Sequence, residues 1–536
     1  MPFAWLAFSG SIPRNDFKRR RAAHARQRVA THVMNEESAI LPAQGSPLAP
    51  IPLRACQALL AIAAIKLAIL VLDTNPRFFL WDSVTYLRGA TEGLLPRDRS
   101  FLYSFLIRAT AMPAHSLHAL VIVQTLAGIA SAFLVYFMLR RFFALHFLVA
   151  LCAALLVAIE PGQLFYERML MAEAPGGMLW LGFITLALAY MRDGKTFWLP
   201  LVCASGLLMI AFRLNGTASV LLVGSLLPLW RMLVLRGTLQ RDSRREQWRR
   251  TFMQLAVTIL FTVVTHAAYR ELVGSIAHAP PGYIGTEGLF LLGYVAPAVQ
   301  ENDFAGTGCD SQVLQHVQLP LRDPRRREQQ LWKDGGLWSV MQRDCPQPEA
   351  AAGVVAHRAF DRIAPDIVPM ALTTQAQYFD GEESTWRMNS DLGRKGMLPL
   401  ELIEPVSRLF FLDAKPIAFT DTPTSLWFEH SRWWLAGCFL LSPLCAIWLV
   451  VQARRRTYAA VAWPIALCTW ILFTTQFLFS PIISFRYLHP FPPLVIVCVI
   501  AGFALRIARS GPLAALDSPA RSTSHDEAGS EVHRSA

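Results

Sequence analysis

Four charged residues of this chain stand where short polar stretches meet long apolar ones: Asp82, Glu173, Arg213 and Arg486. A carboxylate at such a boundary can take a proton from a hydroxyl group. An arginine there can hold an anion through its fork of donors. Asp82 closely follows the first apolar run, in Phe79-Leu80-Trp81-Asp82-Ser83. Aspartate also caps helices well, so a general base and an N-cap are both open readings. Glu173 stands at the start of the fourth apolar run, where a carboxylate could equally complement a helix dipole. Arg213 (Phe212-Arg213-Leu214-Asn215-Gly216) and Arg486 (Phe485-Arg486-Tyr487-Leu488-His489-Pro490) interrupt apolar sequence. Each could bind an anionic partner, snorkel to an interface, or pair with Asp82 or Glu173. Lys66 lies inside the first apolar run, where its flexible stem could carry the charge to the interface or leave it within the bundle.

The elements that must position these residues are transmembrane helices. The chain has 536 residues, 54% hydrophobic and 16% charged. A soluble domain carries roughly 25% charged residues. The deficit comes from long charge-free runs alternating with short arginine-rich stretches, a membrane pattern. Ten runs are candidates, near 53–73, 117–139, 142–160, 171–191, 197–212, 214–234, 252–270, 433–452, 459–479 and 487–505. The fifth is short, so nine spans are also possible. The expected fold class is therefore an all-α polytopic membrane protein. Every second loop is basic: Arg140–Arg141, Arg192 with Lys195, the run Arg231 to Arg250, Arg454–Arg456, and Arg506 with Arg509. That side, with the N-terminal Arg cluster, reads as cytoplasmic. Residues 74–116, 161–170, 271–432 and 480–486 then fall outside, and both Arg213 and Arg486 lie there against the usual charge bias. Trp81, Trp198, Trp433 and Trp434 sit near span ends, as interfacial aromatics do.

The organisation reads as a polar, disordered cytoplasmic tail over 1–50 and a seven-helix module over 51–270. An external subdomain over 271–432 comes next, then three helices over 433–508 and a disordered cytoplasmic tail over 509–536. No signal peptide is expected, because the apolar stretch precedes the charge cluster Lys18–Arg21. Met1 and Met34 are both candidate starts. The first external loop, 74–116, shows two helical-period stretches around a charged turn (Arg97, Asp98, Arg99), so two short helices at the membrane surface are expected. Cys309 and Cys345 are the only cysteines of the external subdomain, in a compartment that permits a disulfide. The other seven read as small buried apolar residues. No cysteine–histidine spacing or carboxylate cluster suggests a metal. The formal charge of +12 is an orientation signal here, and no basic face with interleaved aromatics points to nucleic acid.

An acidic residue just after span one, an aromatic a few positions on (Tyr86) and two juxtamembrane helices resemble the GT-C superfamily of multi-pass glycosyltransferases. Its members include protein O-mannosyltransferases and lipid A aminoarabinose transferases. Further elements are similar: Arg168 five positions before Glu173, Arg213 with Gly216, and Arg486-Tyr487 with Pro490. Many members carry paired acidic residues where this chain has Asp82-Ser83, a departure from that part of the pattern. The resemblance covers spans one to seven and the last span, about three fifths of the chain. It implies a polyprenyl-phosphate sugar donor and an acceptor hydroxyl on a glycan, lipid or protein. Asp82 would be the base and Glu173 an orienting or paired carboxylate. Arg486, Arg213 and Lys66 would bind the donor phosphate, with Tyr86, Arg168 and Tyr487 positioning substrate. It implies no cofactor, and a bacterial inner membrane as the location.

Two other classes remain readings of the same sequence. A lipid or polysaccharide transporter would need broken helices or charges near the bilayer midplane, and only Lys66 comes near that. A non-catalytic scaffold with a partner-binding external subdomain is the third.

Overall fold

A computed structural model describes residues 53–79, 82–93, 95–235, 241–394, 398–410, 420–453 and 456–510. The tail over 1–50, Trp81, Arg454 and residues 511–536 lie outside the described residues. The chain divides into two compact units, Met1–Cys56 and Gln57–Ala536. In the first, only the opening residues of one helix are described. The rest of that helix and every other described element belong to the second.

Among the described residues the secondary structure is helical, and eight helices are long and apolar enough to cross a membrane. The first half comprises α1 (Leu53–Leu72), α2 (Asp82–Thr91), α3 (Leu102–Thr110), α4 (Leu117–Arg141), α5 (Phe147–Ala158), α6 (Pro161–Tyr166), α7 (Glu173–Asp193), α8 (Trp198–Phe212), α9 (Leu214–Val234) and α10 (Arg241–Ala277). The eight long helices are α1, α4, α7, α9 and α10, with three more near the C-terminus. Capping signals set several boundaries. Ser116 accepts from the His118 backbone N–H at the start of α4. Gly194 ends α7 with φ +67°, a left-handed cap that glycine adopts without steric cost.

Two of the ten expected spans are shorter than a bilayer. Helix α5 has 12 residues and α8 has 15, about 18 and 22 Å at 1.5 Å per residue, against roughly 30 Å of hydrocarbon. In the first case the apolar run includes a turn through Ala144, whose φ is +53°. Pro161 then opens a separate helix. Hydropathy registers the run but not the turn inside it. In the second case the chain leaves helix at Arg213, which is extended. Both short helices nevertheless return the chain along a long neighbour. Helix α5 comes after Arg141 and leads back to Met169, which bridges to Arg77 just after α1. Helix α8 comes after the end of α7 and leads back to Arg213, which pairs with Glu173 at its start. The opposite end gathers basic residues: Arg192 Nη1 donates to the Arg141 carbonyl (2.7 Å), and Arg231 Nε donates to that of Met191 (3.1 Å).

Residues of the segment expected as an external subdomain enter two buried apolar clusters. Helices α11 (Glu287–Val295), α12 (Leu337–Asp344) and α13 (Pro348–Ile363) share a core that includes Leu292, Val299, Phe304, Met341 and Val355. Cys309 and Cys345 are bonded to each other at its edge. Helices α14 (Ile367–Ala376) and α15 (Gly381–Asp391) lead from it toward the site. Helix α16 (Leu400–Phe410) packs elsewhere: Val406 and Phe410 join Tyr86, Leu87, Tyr103 and Ile107 of the first loop. Its apolar residues recur at helical spacing, so one face is drawn onto α2 and α3. Helix α17 (Pro423–His430) lays Phe428 flat against Phe165 of α6, ring centroids 4.3 Å apart. The last three long helices are α18 (Arg432–Gln452), α19 (Arg456–Phe479) and α20 (Phe491–Ser510). Helix α20 packs on α18, and α19 on α7.

Candidate functional site

The site forms where the first two loops on one side of the bundle are tied together. Leu170 N–H donates to the Arg77 carbonyl and Arg77 N–H to that of Arg168, each at 2.8 Å. Ser83, in the position where paired acidic residues would put a second carboxylate, is buried. Its hydroxyl donates to the Leu170 carbonyl (2.8 Å) and accepts from Phe79 N–H (2.9 Å). It is a fastener between loops, and it fixes the first turn of α2, where Asp82 stands.

Asp82 is held by two arginines, one to each oxygen. Arg486 Nη1 donates to Oδ2 at 2.6 Å, and Arg99 Nη1 lies 2.7 Å from Oδ1. Burial alone would raise the Asp82 carboxyl; the charges and hydrogen bonds of Arg486 and Arg99 outweigh it and hold the group at about 2. Arg99 also pairs with Asp98 and lies over the Tyr86 ring, 5.6 Å from its centroid. Arg486 sits 4.7 Å from the Phe79 ring centroid and 4.8 Å from that of Tyr487. Its Nη2 donates to the Tyr487 hydroxyl at 2.9 Å. Arg213 lies 5.9 Å from the same ring's centroid and is ion-paired with Glu173. The order is therefore Arg99, Asp82, Arg486, Tyr487, Arg213, Glu173. A Cβ at Gly176, on the first turn of α7, would come within 2.5 Å of Arg213 Cγ. Glycine at that position lets the arginine cross the helix to reach Glu173.

A small pocket of about 10 Å³, the room of a single water, opens beside this row. Its lining includes Glu173, Gly176, Trp180, Arg213, Arg486 and His489. Asp82 and Arg99 are outside the lining, behind Arg486. The backbone that presents Arg486 is clamped by α15 and the turn before it. Asp391 accepts from the Ser484 hydroxyl (2.8 Å) and from Phe485 N–H (2.6 Å). The Tyr378 hydroxyl donates to the Ser484 carbonyl at 2.9 Å. Burial pushes the Asp391 carboxyl up to about 6, against the lowering charge of Arg486 and those hydrogen bonds.

The chain matches no known protein family, no curated protein and no solved structure. The chemistry of the site is therefore the ground for any functional assignment.

Of the residues singled out in the sequence, Asp82, Tyr86, Glu173, Arg213, Arg486 and Tyr487 come together. Lys66 and Arg168 do not join them. Both are fully buried in a network behind the pocket, which reaches it through Gln163 and His489, 3.1 Å apart. Lys66 pairs with Glu167, which accepts from Gln163 Nε2 at 2.9 Å. Arg168 Nε and Nη1 donate to the carbonyls of Asp73 (2.9 Å) and Leu164 (2.6 Å). With these bonds and its ion pairs to Asp73 and Glu167, the guanidinium shapes the second loop, and it is not part of the pocket lining. Lys66 stays within the bundle, where Glu167 compensates its charge. Sequence reasoning passed over Arg99, Asp391 and Tyr378. Arg99 carried a usable signal: a cation in a loop expected on the same side as Arg213 and Arg486, although its neighbours Arg97 and Asp98 made it read as a turn. Asp391 and Tyr378 had none, since they meet the site only through the fold. Among the described residues no group of three or more histidines, cysteines and carboxylates could hold a metal.

Proposed function

We propose that the protein is a membrane glycosyltransferase of the GT-C type, moving a sugar from a polyprenyl-phosphate donor to an acceptor hydroxyl. The observation that carries this reading is the row of two arginines, Arg486 and Arg213, flanked by the carboxylates Asp82 and Glu173, beside a pocket at one end of an apolar helical bundle. The reaction needs a base for the hydroxyl proton and positive charge for the departing phosphate, and the row provides both. Asp82 takes the hydroxyl proton. The hydroxyl oxygen bonds to the anomeric carbon as the bond from that carbon to the phosphate oxygen breaks. The electron pair leaves with the phosphate, whose charge Arg486 and Arg213 meet, and the configuration inverts. A phosphate ester leaves without protonation, so no general acid is required.

The same reading sets this end of the bundle outside a bacterial inner membrane, with the basic end in the cytoplasm. Ten passes, with α5 and α8 as short crossings, are supported by the return of both helices to the site. The test is release of free polyprenyl phosphate from a panel of polyprenyl-phosphate sugars by the purified protein, with envelope extract as acceptor. Wild type releases it, and Asp82→Asn lowers the rate by about 10²–10⁴, the usual worth of a positioned base. Equal release by both proteins removes Asp82 from the chemistry. No release from any donor by well-folded protein ends the transferase reading.

A further inference from the structure

A carboxylate gripped by two arginines is well placed and poorly basic. The row contains its own resolution. Arg486 lines the pocket and Arg99 does not. Arg486 spends one amino group on Asp82 and the other on the Tyr487 hydroxyl, and its Nε finds no partner. That is a split grip, weaker than the parallel two-bond fork that arginine forms with an ideal carboxylate. Arg213, also in the pocket wall, meets Glu173 through a single amino group. Arg99 is the anchored member, tied to Asp98 through Nε and Nη2 as well as to Asp82.

Building on the transferase reading, we propose that Asp82 and Glu173 are resident counter-ions which the phosphate of the polyprenyl donor displaces from Arg486 and Arg213. Donor binding then arms the base. The donor's phosphodiester carries one negative charge, as a carboxylate does, but its two free oxygens can draw donors from both arginines at once, and its charge grows as the bond to the sugar breaks. Asp82 loses Arg486 but keeps Arg99, so it stays in place on the first turn of α2 while its affinity for a proton rises. Without donor, the carboxylates neutralise the arginines and leave the base quiet.

The experiment is equilibrium binding of a polyprenyl phosphate, and separately of inorganic phosphate, to the purified full-length protein in lipid nanodiscs. Wild type is compared with Asp82→Asn and Glu173→Gln. Removing a competing carboxylate should tighten polyprenyl-phosphate binding by about tenfold or more. Glu173→Gln gives an independent arm if Asp82→Asn fails to fold. Unchanged or weaker binding in both variants overturns the counter-ion proposal. So does tightening for inorganic phosphate alone, which would mark a free-anion site. Turnover separates this proposal from the one beneath it. Sugar release by wild type without tighter binding in the variants sinks only the counter-ion idea. Tighter binding with no turnover of any donor sinks only the transferase.

Discussion

Arg486 reaches across 404 positions of sequence to place Nη1 2.6 Å from Asp82 Oδ2. The contact joins the first loop to the start of the last membrane helix, so it closes the bundle as well as setting the charge of the site. Both side chains are mostly buried, at 20% and 15% exposure. A pair of this kind couples the stabilities of its members. Asp82→Asn and Arg486→Gln should each lower the thermal stability of the detergent-solubilised protein. The double variant should lose less than their sum, by about 1–2 kcal/mol. Strict additivity in that cycle would mean that the two side chains do not meet.

The same pairing sets a pH window. The folded-state value of Asp82 is about 2, below its ordinary 3.8, because Arg486 and Arg99 outweigh the burial that would raise it. A depressed acid stabilises the folded state fully above its unfolded value, and loses that contribution as pH falls through the folded one. The loss should run from about pH 4 to pH 2 and amount to about 2 kcal/mol. Unfolding curves taken across that interval should fall in wild type and flatten in Asp82→Asn.

Asp391 should behave in the opposite sense. Burial raises its carboxyl from 3.8 to about 6 despite Arg486, Ser484 and Phe485 N–H. The folded state then favours the protonated acid, so its contribution to stability is present below about pH 4 and declines as pH rises through 6. Asp391→Asn should remove that decline. It should also disturb donor affinity, because Asp391 positions the backbone in front of Arg486. A variant with the pH decline abolished and polyprenyl-phosphate affinity unchanged would sever Asp391 from the site.

How far the sequence led is clear from particular residues. The charge-free runs gave the long helices because a bilayer demands about 20 apolar residues. Period alone gave α2 and α3. The turn at Ala144 was illegible, since a left-handed alanine carries no compositional mark. The row of Asp82, Arg486, Arg213 and Glu173 was legible in its members, each a charge at an apolar boundary. Its pairing was not, because contacts hundreds of positions apart depend on how helices pack. Lys66 shows the limit most plainly. Its depth in the run could be read, but which way it points depends on Glu167, on another loop.

Lys66 and Glu167 are both at zero exposure, and that burial makes a prediction of its own. Removing one partner of a fully buried ion pair strands the other charge, at a cost of about 3–5 kcal/mol. Lys66→Met and Glu167→Gln should therefore be strongly destabilising, while Lys66→Met with Glu167→Leu should recover most of the loss. Gly128 guards the same pair, because a Cβ there would fall 1.7 Å from Glu167 Oε1. Gly128→Ala must push Glu167 off Lys66, and should destabilise by about 1–3 kcal/mol or more. The decisive comparison is with Arg486→Gln. In protein that remains folded, Lys66→Met with Glu167→Leu should leave polyprenyl-phosphate affinity within about twofold, and Arg486→Gln should cost at least about tenfold. Loss of affinity in the Lys66 double variant would return that lysine to the phosphate, and would mean that the second loop opens to admit the donor.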